Sequence, residues 1–273
     1  MTAPPDHAVS VSNRRTQARM EFANPPVAET SLGFYFQKIE GWNVLHQGAL
    51  WERFRSRYSE YEFLPPIMEI PSQPNAGLDL ASIPIRVGFT DNTKTQLVQM
   101  QDGFLLHNWR KTPEIREYPR YEAVNPELQQ DWSTFRAYLH ERSLKGPVVT
   151  RCQMDYFNHL VRGEEWQDFS DLSNLFTVWN GFRQPTAGDG ELQMVSFSFS
   201  YRLKSGTVNV VVQPAIRKSD GKEIIQFTLS SSMAPKSSED KALFACLDEC
   251  HDNAAVAFLD FTTAQARERW KQK

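Results

Sequence analysis

A chain of 273 residues, 40% hydrophobic and 23% charged, is long enough for one large domain or two closely packed small ones with a sizeable core. Its net charge of −3 leaves no global basic excess, which excludes phosphate-backbone binding as the default role. No apolar run reaches the roughly 18 residues of a membrane span, so none is predicted.

The 18 Phe, 8 Tyr and 7 Trp must either be buried or line a contact surface. Cys152, Cys246 and Cys250 are too few for a secreted disulfide framework. Cys246, Cys250 and His251 with a distant Cys152 fall short of a convincing zinc set, so they read as core residues and neither metal nor cofactor is expected. Residues 1–24 are polar, carry Arg14, Arg15 and Arg19, and lack the apolar stretch of a signal peptide. They are expected to form a disordered tail, with a basic arm that touches a partner as the alternative.

The first strand is predicted at Glu29–Lys38, where Leu32, Phe34 and Phe36 alternate with Gly33, Tyr35 and Gln37. A helix follows over Val44–Tyr58, with Leu45, Ala49, Phe54 and Tyr58 as its apolar stripe. Pro65-Pro66 closes that unit, and Pro71–Gly77 reads as a surface loop. Ile83–Phe89 is a strand that Pro84 places near an edge or at a strand start. Thr95–Met100 and Phe104–Trp109 flank Asp102-Gly103, the signal of a type I′ hairpin with positive φ at both central residues.

Asn125-Pro126 opens the next predicted helix, with Leu128, Trp132, Phe135 and Leu139 on one face. Gly146-Pro147 ends it, and Val148–Leu160 is a long strand. A short helix at Ser170–Phe176 precedes strands at Leu192–Leu203, Thr207–Ile216 and Glu223–Ser231. Ser237 and Asp240 read as a capping box for a long helix carrying Leu243, Phe244, Leu247, Ala254 and Phe258. Thr262 and Gln265 read as a second box, for a short helix that ends near Trp270.

The fold class is α+β: antiparallel sheet packed against two long helices, in tandem β-α-βββ-α halves. After the tail, 25–146 is the first half and 147–273 the second. A TATA-binding-protein-like saddle or a helix-grip binder would satisfy this order, by analogy of fold alone.

Alternation gives the last three strands one apolar face and one face of hydroxyls and amides, including Ser196, Ser198, Ser200, Asn209, Gln213, Gln226, Thr228 and Ser230. This is either a solvated face or a hydrogen-bonding platform. In Val148–Leu160, Cys152, Met154, Tyr156 and Leu160 fall on one side, and Arg151, Gln153, Asp155 and His159 on the other.

No nucleophile elbow, phosphate loop, dinucleotide fingerprint or paired-histidine zinc motif occurs, so no catalytic residue is assigned. The densest unusual stretches are His107-Asn108-Trp109-Arg110 and Tyr118-Pro119-Arg120-Tyr121. Trp, Tyr and Arg make hot spots because they combine area with hydrogen bonds, so His107, Trp109, Arg110, Tyr118, Arg120 and Tyr121 form the candidate partner site. The same chemistry also makes internal Arg–aromatic braces. A second candidate set, for a small ligand, is Arg151, Asp155, Asn158, His159, Ser198 and Asn209.

These stretches carry a resemblance. Pro26-x-x-Glu29, Trp51-Glu52-Arg53-Phe54-x-x-x-Tyr58, Leu97-Val98-Gln99-Met100-Gln101, Asn108-Trp109-Arg110 and Tyr118-Pro119-Arg120-Tyr121 belong to it. So do Asp155-Tyr156-x-Asn158-His159 and the C-terminal Phe258, Thr262 and Trp270. The chain resembles a sporadically distributed family of uncharacterised bacterial proteins of similar length. The resemblance implies a cytoplasmic bacterial protein and supplies no activity. Its patchy distribution points to accessory genes such as toxin–antitoxin or phage-defence operons. The expected function is therefore a non-enzymatic subunit of antitoxin, immunity or defence-adaptor type that docks a partner protein. The alternatives are a small-ligand or nucleotide binder with a sheet–helix cavity, and an enzyme with a scattered site near His159.

Overall fold

A computed structural model describes residues 22–67, 84–180 and 192–271. The loop expected at Pro71–Gly77 and most of the N-terminal tail lie outside the described residues. The last residues of that tail are held: Phe22 packs on Phe258, and the amides of Ala23 and Asn24 donate to the carbonyls of Lys271 and Trp270.

The described elements are β1 (Val27–Phe36), α1 (Val44–Phe54), β2 (Glu60–Leu64), β3 (Arg86–Thr90), β4 (Gln96–Gln101), β5 (Phe104–Arg110), α2 (Tyr121–Glu141) and β6 (Val149–Val161). Then come α3 (Leu172–Leu175), β7 (Phe197–Arg202), β8 (Thr207–Ile216), β9 (Glu223–Met233), α4 (Asp240–Phe261) and α5 (Ala264–Arg269). The chain is α+β. Its strands form an open antiparallel sheet in the order β2-β3-β4-β5-β1-β6-β9-β8-β7.

Several boundaries differ from the sequence reading, each for a local reason. β2 is an additional strand. α2 starts at Tyr121, four residues before Asn125, so Pro126 sits inside the helix. An interior proline forfeits one backbone bond and is tolerated best near the first turns. Between β4 and β5 only Gly103 has positive φ, at 106°, and Asp102 does not, so the turn is not type I′.

The two capping boxes also shift. Ser237 Oγ accepts from the Glu239 amide, while the Asp240 carboxylate takes Trp132 Nε1–H and Arg136 instead. The cap of α5 is Thr263, whose hydroxyl accepts from the Ala266 amide, and Thr262 Oγ–H donates to the Phe258 carbonyl. β7 begins at Phe197, five residues inside the predicted strand.

Two compact units are present, and each is described by itself. Unit I is Ala28–Tyr156 with Ser232–Leu247; unit II is the described part of Met1–Val27, Phe157–Ser231 and Asp248–Lys273.

In unit I, the even residues of β1 meet the helices. Phe34 lies 4.6 Å from Trp132 of α2 and 5.5 Å from Phe244 of α4, so both long helices cover the same face of that strand. Phe36 stacks on Phe135, and Phe54 of α1 tilts against Phe89 of β3. The layer between helices and sheet is filled by these rings. On the opposite face β1 and β5 approach closely at Gly33, where a Cβ would lie 2.3 Å from the Leu105 carbonyl oxygen. Only glycine fits that approach.

In unit II, Phe227 of β9 is held between Phe176 and Phe258, and Phe199 of β7 packs on Phe261. Trp132, Phe135 and Leu247 are buried. Phe197, Phe199 and Phe244 are half-buried, the first two because β7 is a terminal strand of the sheet.

Candidate functional site

The six residues of the candidate partner site are placed first. His107, Trp109, Tyr118 and Tyr121 are buried; Arg110 and Arg120 are half-buried. Alternation along β5 sends Asn108 and Arg110 away from the helices. Asn108 is buried as deeply as His107, and Arg110 keeps about a third of its side chain exposed. Trp109 tilts on Tyr118, Tyr118 meets Tyr156 edge-on, and Arg120 lies over the Tyr118 ring. Burial drives the Tyr118 and Tyr156 hydroxyls well above the ordinary tyrosine range, so both stay protonated.

His107 enters a sealed polar network. Its Nδ1–H donates to Asp131 of α2 at 2.7 Å, and its Nε2 meets the Gln96 amide at 2.9 Å. Asp131 also accepts from Tyr58 Oη–H at 2.9 Å and from Arg57 Nη1 at 2.6 Å. Arg57 carries the network to Glu127 at the surface. Burial opposes the Arg57 charge, yet Asp131, Tyr58 and Glu127 outweigh it and raise its pKa. Burial, then Asp131, hold the Tyr58 hydroxyl far above its ordinary value, which keeps it a donor. His107 and Asp131 are fully enclosed, so this arrangement braces α2 against β4 and β5.

The face of unit I away from the helices carries a second polar system. Glu29 accepts from Asn108 Nδ2 at 2.7 Å and from Arg110 Nε at 3.2 Å. Arg110 also reaches Glu62 at 3.6 Å. Asn108 Oδ1 accepts from Gln99 Nε2 at 2.8 Å, and Gln99 Oε1 accepts from Arg86 Nη2. Arg86 Nη1 donates to the Pro65 carbonyl at 3.0 Å. On the neighbouring strands, the Arg151 guanidinium lies 3.9 Å from the centre of the Tyr35 ring, while Asp155 accepts from Gln153 Nε2 at 2.8 Å.

Charges on this face act on one another's ionisation. Burial first, and the Asp155 carboxylate second, raise the Tyr35 hydroxyl; Arg151 and Arg86 pull it the other way. Burial chiefly, with Arg110 adding to it, holds the Arg86 guanidinium below its ordinary value. Of the predicted residues, Arg110 lies with Glu29 and Glu62, while Arg151 lies on Tyr35 and Asp155 accepts from Gln153. Glu29 of β1 meets Arg110 because β1 pairs with β5, a pairing that the sheet order alone reveals.

The third feature is the free edge. Among the described residues β2 pairs with β3 alone, its Tyr61 opposite Phe89 and its Phe63 opposite Val87. Tyr61 is 58% exposed and Phe63 is 71% exposed. Their rings run on to α1: Phe63 to Tyr61 at 6.2 Å, Tyr61 to Trp51 at 5.3 Å, and Arg55 over Trp51 at 5.3 Å. Trp51 Nε1–H is buried without an acceptor among the described residues. Glu60 and Glu62 point to the other face, toward Lys94 and Arg110.

The remaining predicted ligand residues lie in unit II and do not converge. Asn158 faces the core, where its Nδ2–H donates to the Phe227 carbonyl at 3.0 Å. His159 and Asn209 are half-buried and Ser198 is exposed. In the register Ser198 sits opposite Val211, and Asn209 opposite Ser200. An open groove of about 1020 Å³ in this unit is lined by Trp166, Phe169, Pro214 and Ile216, and its Arg162 is neutralised by Glu223 at 2.5 Å. The three cysteines are buried and unbridged. Among the described residues no His, Cys, Asp and Glu cluster is fit for a metal, and no helix is long and apolar enough to cross a membrane.

No family model matches the chain, and no curated protein matches it.

Proposed function

We propose that this chain is a non-enzymatic interaction subunit, of the antitoxin, immunity or defence-adaptor kind, that docks a partner protein at the free edge of β2. The exposure of Tyr61 and Phe63 on a terminal strand carries this reading. Alternate peptide groups of such a strand point away from its one neighbour, ready to pair with an added strand. Large aromatic side chains beside them supply the area that hot spots need.

The other end of the sheet differs. The aromatics of β7 are engaged by Phe176, Phe261 and Trp179, whereas among the described residues the only ring near Phe63 is Tyr61. Glu60 and Glu62 disfavour indiscriminate pairing, since a partner strand must accommodate their charge. The resemblance to a bacterial accessory family, with its cytoplasmic location, accords with a docking role.

A photo-crosslinking amino acid placed at position 63 tests the proposal in the native host. One discrete protein adduct is expected at 63 and none at Lys38, an exposed control. Phe63→Ser and Tyr61→Ser should each weaken capture of that protein by about tenfold, roughly 1.4 kcal/mol. Thermal stability should hardly change, because these rings contribute little burial. Equal crosslinking at both positions, or capture that survives both substitutions, removes the edge from consideration.

The architecture that goes with this function is a pair of tandem halves of TATA-binding-protein-like or helix-grip-like type. Strand order supports it: β3-β4-β5-β1 in the first half is matched by β7-β8-β9-β6 in the second, each followed in the chain by a long helix. β2 is then an addition to the first half alone. An experimental structure in which the two four-strand sets fail to superpose would overturn this reading.

A further inference from the structure

We infer that the partner strand which the β2 edge accepts is cationic and amphipathic, with Lys or Arg alternating with apolar residues. This rests on the edge-docking reading and names the chemistry of its occupant.

The two faces of β2 offer an added strand different surfaces. Tyr61 and Phe63 share the helix side with Phe89 and Val87. That side stays apolar and exposed beyond them, at Ile85 and at Val44 of α1, where Gln47 Nε2 donates to the Ile85 carbonyl at 3.0 Å. Apolar side chains of an added strand would take these groups out of water.

The opposite side carries Glu60 and Glu62, each about half exposed, and their charge is loosely answered. Lys94 stands 3.9 Å from Glu60. Glu62 shares the Arg110 guanidinium with Glu29, which holds it more closely, at 3.2 Å against 3.6 Å. Two carboxylates on one guanidinium leave a negative charge beside the edge. In an antiparallel pair, residues directly opposite project to the same face; opposite charges there stabilise and like charges cost. Lysines or arginines at alternate positions of the incoming strand therefore fall beside Glu60 and Glu62, and the residues between them fall on Tyr61 and Phe63.

A second copy of the chain does not supply this pattern. Two-fold pairing centred on Glu60 or Glu62 sets a glutamate against its own image, and centring on Tyr61 sets Glu60 against Glu62. Centring on Phe63 or Leu64 escapes both, but puts Pro65 into the ladder opposite Tyr61 or Phe63, and proline has no N–H to donate.

Fluorescence anisotropy of the full chain with labelled synthetic peptides tests the inference. The probes are a heptapeptide in which lysine alternates with valine, its counterpart with glutamate for lysine, and a permuted peptide with the lysines in one run. The alternating lysine peptide is expected to bind at least tenfold tighter than either control. Raising the salt from about 0.05 to about 0.5 M should weaken it several-fold. Phe63→Ser should weaken it at least tenfold. Glu60→Lys combined with Glu62→Lys should reverse the order, so that the glutamate peptide binds tighter, a gain that a damaged fold does not give. The inference is overturned if the lysine peptide fails to outbind either control, if Phe63→Ser leaves its binding unchanged, or if the preference survives the charge reversal. The docking reading is judged separately by the adduct at position 63. An adduct that forms beside any of those peptide results leaves the edge standing and removes only its cationic occupant.

Discussion

Asp131→Ala is expected to destabilise the protein by about 3–5 kcal/mol, because one enclosed carboxylate answers three donors. His107 Nδ1–H, Tyr58 Oη–H and Arg57 Nη1–H all end on it. Removing it leaves the buried ring N–H and hydroxyl without an acceptor, and each such loss costs about 1–3 kcal/mol. Arg57 retains Glu127 at the surface, so its share is the smallest. Asp131→Asn keeps the shape and one acceptor oxygen, and should cost roughly half as much.

Urea denaturation of both variants measures this, with the midpoint falling and the slope unchanged. A double-mutant cycle with His107→Ala should show coupling above about 1 kcal/mol. If Asp131→Ala cost under about 1 kcal/mol, the network would be solvated and His107 would return as a candidate contact residue.

The sequence made the periodic elements legible and left the contacts between distant strands hidden. Thr207–Ile216 has the same ends in sequence and structure, because Val208, Val210 and Val212 face a core while Asn209 and Gln213 do not. β2 escaped notice for the opposite reason. Glu60-Tyr61-Glu62-Phe63 alternates, but nearly every position is exposed, so the segment lacks the buried side that marks a strand. Its large exposed aromatics were nevertheless in view, and they are the signal that finds it.

β5 misled in another way. Alternation assigns His107 and Trp109 to one face and Asn108 to the other, but it does not say that both faces are enclosed. In a central strand one side meets helices and the other meets a bonded layer of Gln99, Asn108 and Glu29. Arg151 and Asp155 were identified from the polar side of β6. Tyr35 and Arg86 were not, because β1 lies between β5 and β6 in the sheet although more than sixty residues precede β5 from its end. That insertion is a property of topology, and no local pattern encodes it.

Trp132→Ala should cost about 3–5 kcal/mol, the range for emptying a fully buried large aromatic site. The indole lies 4.6 Å from Phe34 and 5.6 Å from Phe135, so its removal opens the layer between α2 and β1. Its Nε1–H also donates to Asp240, the first residue of α4, at 3.2 Å. Trp132→Phe separates the two roles. It keeps most of the ring packing and loses the hydrogen bond, for which about 0.5–1.5 kcal/mol is expected.

Phe244→Ala is the informative contrast. It contacts the same Phe34 ring, yet it is half-buried, so the loss should be about half that of Trp132→Ala. Equilibrium unfolding of the three variants gives the order Trp132→Ala, Phe244→Ala, Trp132→Phe from most to least destabilised. A Phe244→Ala loss equal to that of Trp132→Ala would mean that α4 closes more tightly over β1 than its exposure implies. The stripe at Leu243 and Leu247, already fully enclosed, would then extend across the whole inner face of the helix.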